Sequence, residues 1–243
     1  MDWQDRGIVL HVRPHGESSA IVEVLSAAHG RHAGLVRGAK SKRMRGVLQP
    51  GNLIEVHWRA RLSEHLGAFV LELVEARAAV IFDDALALDG LGAACAMACL
   101  CLPERERFAG IYAAFEVLTS CMHERALWPA LYVRWEAGIL RELGYGLQLE
   151  RCAATGQSDH LTHVSPRTGR AVSAAAAQPY VDKLLTLPAF LHDGAAPLQD
   201  GDIGAGLTLT GYFLERRLLW PLNRTLPDAR ARMTERLLDA GLL

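Results

Sequence analysis

Six cations and no acid fall between Arg31 and Arg45: Arg31, Arg37, Lys40, Lys42, Arg43 and Arg45. Cations held at intervals along a groove suit a phosphodiester chain, because each neutralised phosphate releases condensed counterions. Gly34, Gly38 and Gly46 punctuate the run, and glycine lets a backbone come close to a sugar–phosphate chain. Arg13, Arg59 and Arg61 are outlying neighbours of the same kind. A plain solvated loop is the competing explanation for any charge run. Single-strand binders without sequence preference usually stack bases on aromatic rings, yet no Phe, Tyr or Trp occurs between Asp5 and His57. Trp58 alternates onto the Ile54/Val56 face, which makes it core rather than platform, and Phe69 is open to either role. The expected contact is therefore led by charge, with little sequence preference. If about five cations meet phosphates of a single strand, the logarithmic salt slope is roughly −3.5.

Other reactive constellations are incomplete. Cys152 with His160 and His163 suggests a metal, but structural zinc takes four ligands, commonly from paired C-x₂-C steps. Thr155 stands three residues after Cys152, no second cysteine pair follows, and a fourth ligand is not evident, so no metal is expected. Cys95 and Cys99 lie one helical turn apart beside Met97 and Leu100, the setting of buried thiols in a helix contact. There is no P-loop, G-x-S-x-G, H-E-x-x-H or dinucleotide fingerprint. His11, His15, His29 and His32 cluster in sequence without a nucleophile or acid at a telling spacing. A non-enzymatic protein without a cofactor or small-molecule substrate is the expectation.

The elements that must position the cations are β. Gly7–Arg13 alternates, Ser19–Ser26 follows, an Ala28–Gly30 turn leads into a strand around Arg31–Arg37, and Leu53–Arg61 and Gly67–Val74 complete five. Five short strands in about eighty residues suggest a small closed barrel of OB type, although periodicity alone does not separate it from an SH3-like barrel. The pattern changes at Phe82-Asp83-Asp84. Helices are expected over Ala85–Leu102, Glu104–His123, Pro129–Leu143, Ile203–Leu219 and Asp228–Ala240, with Pro103 as a breaker and Gly144 as a cap. Tyr145–Ser173 has the turn chemistry of a short β excursion. The reading is α+β: an OB-fold domain over 1–82, then a helical domain over 83–243 with a small inserted module at about 145–175.

Composition agrees with a packed, intracellular protein. Half of the 243 residues are hydrophobic and 22% are charged, enough for a sizeable core. The net charge of −1 hides an asymmetry: Met1–Phe82 carries 11 Lys/Arg against 8 Asp/Glu, and the remainder 15 against 19. Met-Asp-Trp-Gln-Asp is no secretory leader, and the longest apolar run, Ala93–Leu102, is half of a membrane span. The five cysteines form no even framework. Cytoplasmic location without membrane contact is expected.

In order along the chain, several motifs resemble the RecO family of bacterial recombination mediators. They are Gly7–Leu10, Gly16-Glu17-Ser18, Gly30, Val36–Lys40 and Leu48–Gly51, then Leu102–Arg105, Glu142–Tyr145 with Leu147, Leu149 and Cys152, and Ser165-Pro166 with Gly169–Ser173. Each is weak alone; their order and spacing are specific. The resemblance implies an N-terminal OB-fold, a helical body, and an inserted module often carrying four zinc-binding cysteines. It implies binding of single- and double-stranded DNA, annealing of complementary strands, and loading of recombinase at gaps. The implied partners are a RecR-type ring and the acidic, apolar C-terminal tail of single-stranded-DNA-binding protein. Location is then bacterial and nucleoid-associated during repair. This sequence departs from the zinc pattern: Thr155, Ser173 and Ala176 stand at three of the four positions, a degenerate zinc-finger-like module. Arg134, Arg141, Arg216 and Arg217 are candidates for the acidic tail. An RNA-binding or translation-associated OB-fold protein is the rival, and a metal-dependent nuclease lacks assembled ligands.

Overall fold

A computed structural model describes residues 1–243. The chain divides into two compact units, Met1–Trp128 with Pro227–Arg230, and Pro129–Leu226 with Ala231–Leu243. The first unit holds the β structure: β1 Asp2–His15, β2 Ser19–Ser26, β3 Gly30–Val36, β4 Leu53–Arg59 and β5 Ala68–Glu75. They close a barrel in the order β1-β2-β3-β5-β4, with β1 pairing both β2 and β4 and with β3 meeting β5 in parallel. A helix, α1 Lys42–Val47, lies between β3 and β4. That order and that helix make the barrel an OB-fold, as the strand count suggested.

β1 is twice as long as its alternation indicates because its two halves serve different neighbours. Asp2–Ile8 pairs with β4 and Gly7–His15 with β2, and the register shifts between Val9 and His11. A bulge of this kind bends a strand. Ile8, Val9 and Leu10 are consequently all buried, since α3 (Ala85–Cys101) packs across β1 and the Cys95 thiol reaches the Val9 carbonyl. Inside the barrel Val22, Val24, Ile54, Val56, Trp58, Phe69 and Leu71 form the core. About 25 cal/mol per Å² of such apolar area drives closure.

α2 (Arg77–Val80), α3 and α4 (Ala109–Ser120) complete the first unit. Asp84 caps α3 by accepting the Leu86 and Ala87 N–H groups, and its second oxygen accepts Arg125 Nε at 2.8 Å. α4 begins five residues later than the Glu104 start expected from composition. The intervening segment follows the barrel instead: Arg105 N–H donates to Arg31 O at 2.7 Å, and Arg105 itself adopts φ +63°. Gly30 makes room for it. A Cβ there would stand 1.9 Å from the Glu106 carbonyl oxygen, and its φ is +64°, so glycine is needed for both reasons.

The second unit contains α5 (Trp128–Glu142) from Pro129 onward, a three-stranded sheet, and the last helices. The sheet is β6 Leu161–Val164, β7 Ala171–Ser173 and β8 Leu185–Thr186 in the order β7-β6-β8. α6 (Ala174–Ala177), α7 (Asp202–Phe213) and α8 (Asp228–Asp239) follow, and a π-helical stretch, Leu214–Leu219, continues α7. Leu131, Trp135 and Ile139 recur every four residues along α5, with Leu143 just past its end, and Trp135 and Ile139 of this stripe are buried. Gly206 of α7 takes the Val133 side chain, where a Cβ would lie 2.7 Å away. No helix is long and apolar enough to cross a membrane.

Candidate nucleic-acid interface

The barrel register gathers most of the cations that stand out in the sequence. One row runs around it: Arg13 opposite Ile21, Ile21 opposite Leu35, Leu35 opposite Ala68, and Ala68 opposite Arg59. Neighbouring strands are about 4.8 Å apart, so Arg13 and Arg59 each stand about 10 Å along the sheet from Leu35. Arg37 follows two residues beyond Leu35, and Arg61 opens the loop after β4. These four arginines are exposed. The β3–β4 connection adds Lys40, Lys42, Arg43 and Arg45, also exposed and in no ion pair or side-chain hydrogen bond.

The connection folds as a short cap. Ser41 starts α1 by accepting the Met44 N–H, and Val47 and Leu48 are buried as its anchor. Cations at positions 42, 43 and 45 are therefore held on a folded turn, which lowers the ordering entropy of binding. Beside it lies a cavity of about 240 Å³ lined by Val12, Pro14, Ala20, Ala39 and Leu48, with Lys40 and Arg45 at its edge.

Arg31 belongs elsewhere. It sits at the opposite end of β3, where its guanidinium meets Glu23 at 2.5 Å and Glu104 at 3.6 Å, and its Nε donates to the Leu102 carbonyl. Nε and Nη1 are engaged within the chain, and only 14% of the side chain is accessible. It is a strut between barrel and α3 rather than a free cation.

The aromatic residues also separate by role. Trp58 and Phe69 are buried in the core. Trp3, which precedes the aromatic-free stretch of sequence, is half-buried and stacks on His29 at 4.2 Å between ring centroids. His32 is buried against Trp3 and Trp58 in edge-on contacts of 5.1 and 4.9 Å, and neither ring nitrogen has a hydrogen-bond partner. Burial first, then the charges of Arg105 and His29, push its pKa down to about 4. A neutral imidazole edge facing indole rings is the form that this site holds.

In the second unit the inserted module does not fit a zinc ion. Cys152 is buried, and its sulfur accepts the Ser173 N–H at 3.3 Å. Burial raises the thiol pKa, but hydrogen bonds from the side chains and backbone of Ser173 and Thr155 outweigh it and bring it down to about 6. Donors of Ser173 and Thr155 thus face the sulfur itself. No group of three or more His, Cys, Asp or Glu is placed to hold a metal. Leu161, Val164 and Val172 are buried and pack the module. Elsewhere in this unit Arg134, Arg141, Leu147, Leu149, Phe190 and His192 line a cleft of about 450 Å³. Arg134 donates to the Phe190 carbonyl at 2.9 Å and lies over its ring.

A closed OB barrel with exposed cations on its β3–β4 connection, followed by a mostly helical unit, defines a class: two-unit OB-fold proteins. Comparison with known proteins narrows it. The family model "Recombination protein O N terminal" matches residues 1–77, and "Recombination protein O C terminal" matches residues 83–226. The DNA repair protein RecO of Phenylobacterium zucineum is 51% identical over 243 residues, covering the whole of both chains. That of Caulobacter vibrioides strain NA1000 is 50% identical, again over the whole of both. That of Rhodospirillum rubrum is 48% identical over 98% of this chain and 96% of its own. The chain belongs to the RecO family of DNA repair proteins.

Proposed function

We propose that this protein is a recombination mediator without catalytic chemistry. It binds single- and double-stranded DNA through phosphate contacts, anneals complementary strands and helps to load recombinase at gaps covered by single-stranded-DNA-binding protein. The observation that carries the reading is the set of five exposed, unpaired cations, Arg37, Lys40, Lys42, Arg43 and Arg45, at one end of the barrel. Arg13, Arg59 and Arg61 extend it by way of the barrel row. Annealing needs only that repulsion between two polyanions be screened while they are held together. A charge-led surface with its large aromatic rings in the core suits that task.

The proposed partners are a RecR-type ring and the acidic, apolar tail of single-stranded-DNA-binding protein. For the tail, the cleft at Arg134, Arg141 and Phe190 offers both cations and apolar walls, at a volume within the range of ligand pockets. Arg141→Glu should weaken capture of an acidic peptide with an apolar end without touching DNA affinity. The decisive test of the main reading is DNA binding by a triple variant, Arg37→Glu, Lys42→Glu and Arg43→Glu. A folded variant with undiminished affinity would remove the interface. Strong preference for RNA over DNA of equal length would favour a translation-associated role instead.

A further inference from the structure

We propose a second binding site for a nucleic-acid single strand on the helical unit, formed by Tyr212, Arg216 and Trp220. It rests on the reading of the chain as a strand-handling protein and adds a place for another strand. The three residues recur every four positions: Tyr212 near the end of α7, Arg216 in the π-helical stretch that continues it, and Trp220 at the start of the 3₁₀ turn that follows. The Arg216 guanidinium carbon lies 4.8 Å from the Tyr212 ring centre and 5.0 Å from that of Trp220. The guanidinium is thus held by two aromatic rings. It enters no ion pair or hydrogen bond within the chain, so its planar fork of five donors is pre-positioned and unspent. Its neighbour shows the contrast. Arg217 donates to the Tyr145 and Thr168 carbonyls at 3.1 and 2.8 Å and is a structural strut.

Three further observations point to a strand rather than to a surface staple. Trp220 is 50% exposed, unlike the buried Trp58, Trp128 and Trp135, and base stacking needs an open indole face. The turn that Arg217 holds, Ser165–Gly169, carries exposed Arg167 and is followed by exposed Arg170. These add exposed cations on and beside the turn that Arg217 holds, where phosphates could be neutralised. Third, π-helical turns are uncommon and occur frequently at functional sites. In this assignment Arg216 takes a phosphate with its fork and Trp220 takes a base. An acidic peptide would engage Arg216 but would leave the exposed Trp220 ring without a stacking partner.

The test uses the full-length protein and a labelled oligothymidylate. Binding should quench tryptophan emission in the wild type and in the Arg37/Lys42/Arg43 charge-reversed variant alike, and the quench should be lost in Trp220→Phe. Trp220→Ala should slow annealing of complementary oligonucleotides roughly tenfold, the scale of one missing base stack, with single-strand affinity through the barrel changed less than about threefold. Trp220→Phe, which still stacks, should anneal within about threefold of the wild type. Arg216→Lys, which keeps charge but loses the planar fork, should behave like Trp220→Ala. Near-ultraviolet circular dichroism checks folding. Unchanged annealing in folded Trp220→Ala and Arg216→Lys overturns the second site. So does loss of acidic-peptide binding in those variants with annealing intact. Undiminished DNA binding by the barrel variant would instead defeat the barrel interface, a separate failure.

Discussion

Neutralising Arg37, Lys42 and Arg43 to Gln should change the salt dependence of DNA binding by an amount that follows from the structure. Five cations of the β3–β4 connection are exposed and unpaired. Each phosphate neutralised on a single strand contributes about −0.7 to the slope of log K against log salt, so five contribute roughly −3.5. Between about 50 and 200 mM salt the wild type should therefore lose about 130-fold in affinity. Removing three cations leaves two, a slope of roughly −1.4 and a loss of about sevenfold. The variant should also bind more weakly at low salt, where counterion release counts most. Fluorescence anisotropy of a labelled oligonucleotide across a salt series measures both quantities. A slope that stays near roughly −3.5 in the folded triple variant would show that these cations do not meet phosphate. Arg31→Gln is the internal contrast. Because Glu23 and Glu104 already hold its guanidinium, it should lower stability and leave the slope unchanged.

Further outcomes follow from the packing. His32 is held neutral with its pKa pushed down to about 4. Above a pH of about 6.5 the ring is neutral in folded and unfolded chains alike; below it the unfolded chain takes up a proton, and stability falls as pH drops toward about 4. At pH ~5 the loss is about 2 kcal/mol. Thermal melts of His32→Phe from slightly alkaline to acidic pH should show a shallower decline than the wild type. Gly30→Ala places a Cβ against the Glu106 carbonyl at positive φ and should cost at least about 2 kcal/mol in urea unfolding; a neutral result would refute the close approach. Asp84→Ala removes the α3 cap and the Arg125 partner. It should cost about 1–2 kcal/mol, mostly from the cap, while DNA affinity stays at the wild-type level.

Local features are legible in the sequence. Strand alternation at Leu53–Arg59 and the four-residue stripe through Trp135 and Ile139 follow from periodicity, and both appear in the structure. The β3–β5 parallel pair that closes the barrel is a single long-range register, Leu35 with Ala68, and no local pattern encodes it. The doubled length of β1 is hidden because Asp2–Arg6 reads as polar until β4 is placed beside it. α1 is not evident in the sequence because Lys42, Arg43 and Gly46 mask a turn whose cap, Ser41, and anchor, Val47, are only one residue each. The late start of α4 depends on Arg105 meeting β3, a tertiary contact. For the interface, charge type is legible and charge availability is not. Arg31 reads like its neighbours until Glu104, far along the chain, reaches it. The ladder Tyr212–Arg216–Trp220 does carry a signal, its four-residue spacing, but stacking geometry is needed to show the guanidinium held and unspent.

The most direct measurement is the annealing rate of two complementary oligonucleotides, in the presence of the full-length protein at low salt, for the wild type and the Arg37/Lys42/Arg43→Glu variant. Turning three cations that meet phosphate into three carboxylates that repel it should lower the rate by well over about tenfold, with raised salt abolishing what remains. A folded variant that anneals at the wild-type rate would contradict the barrel cap as the surface that brings strands together.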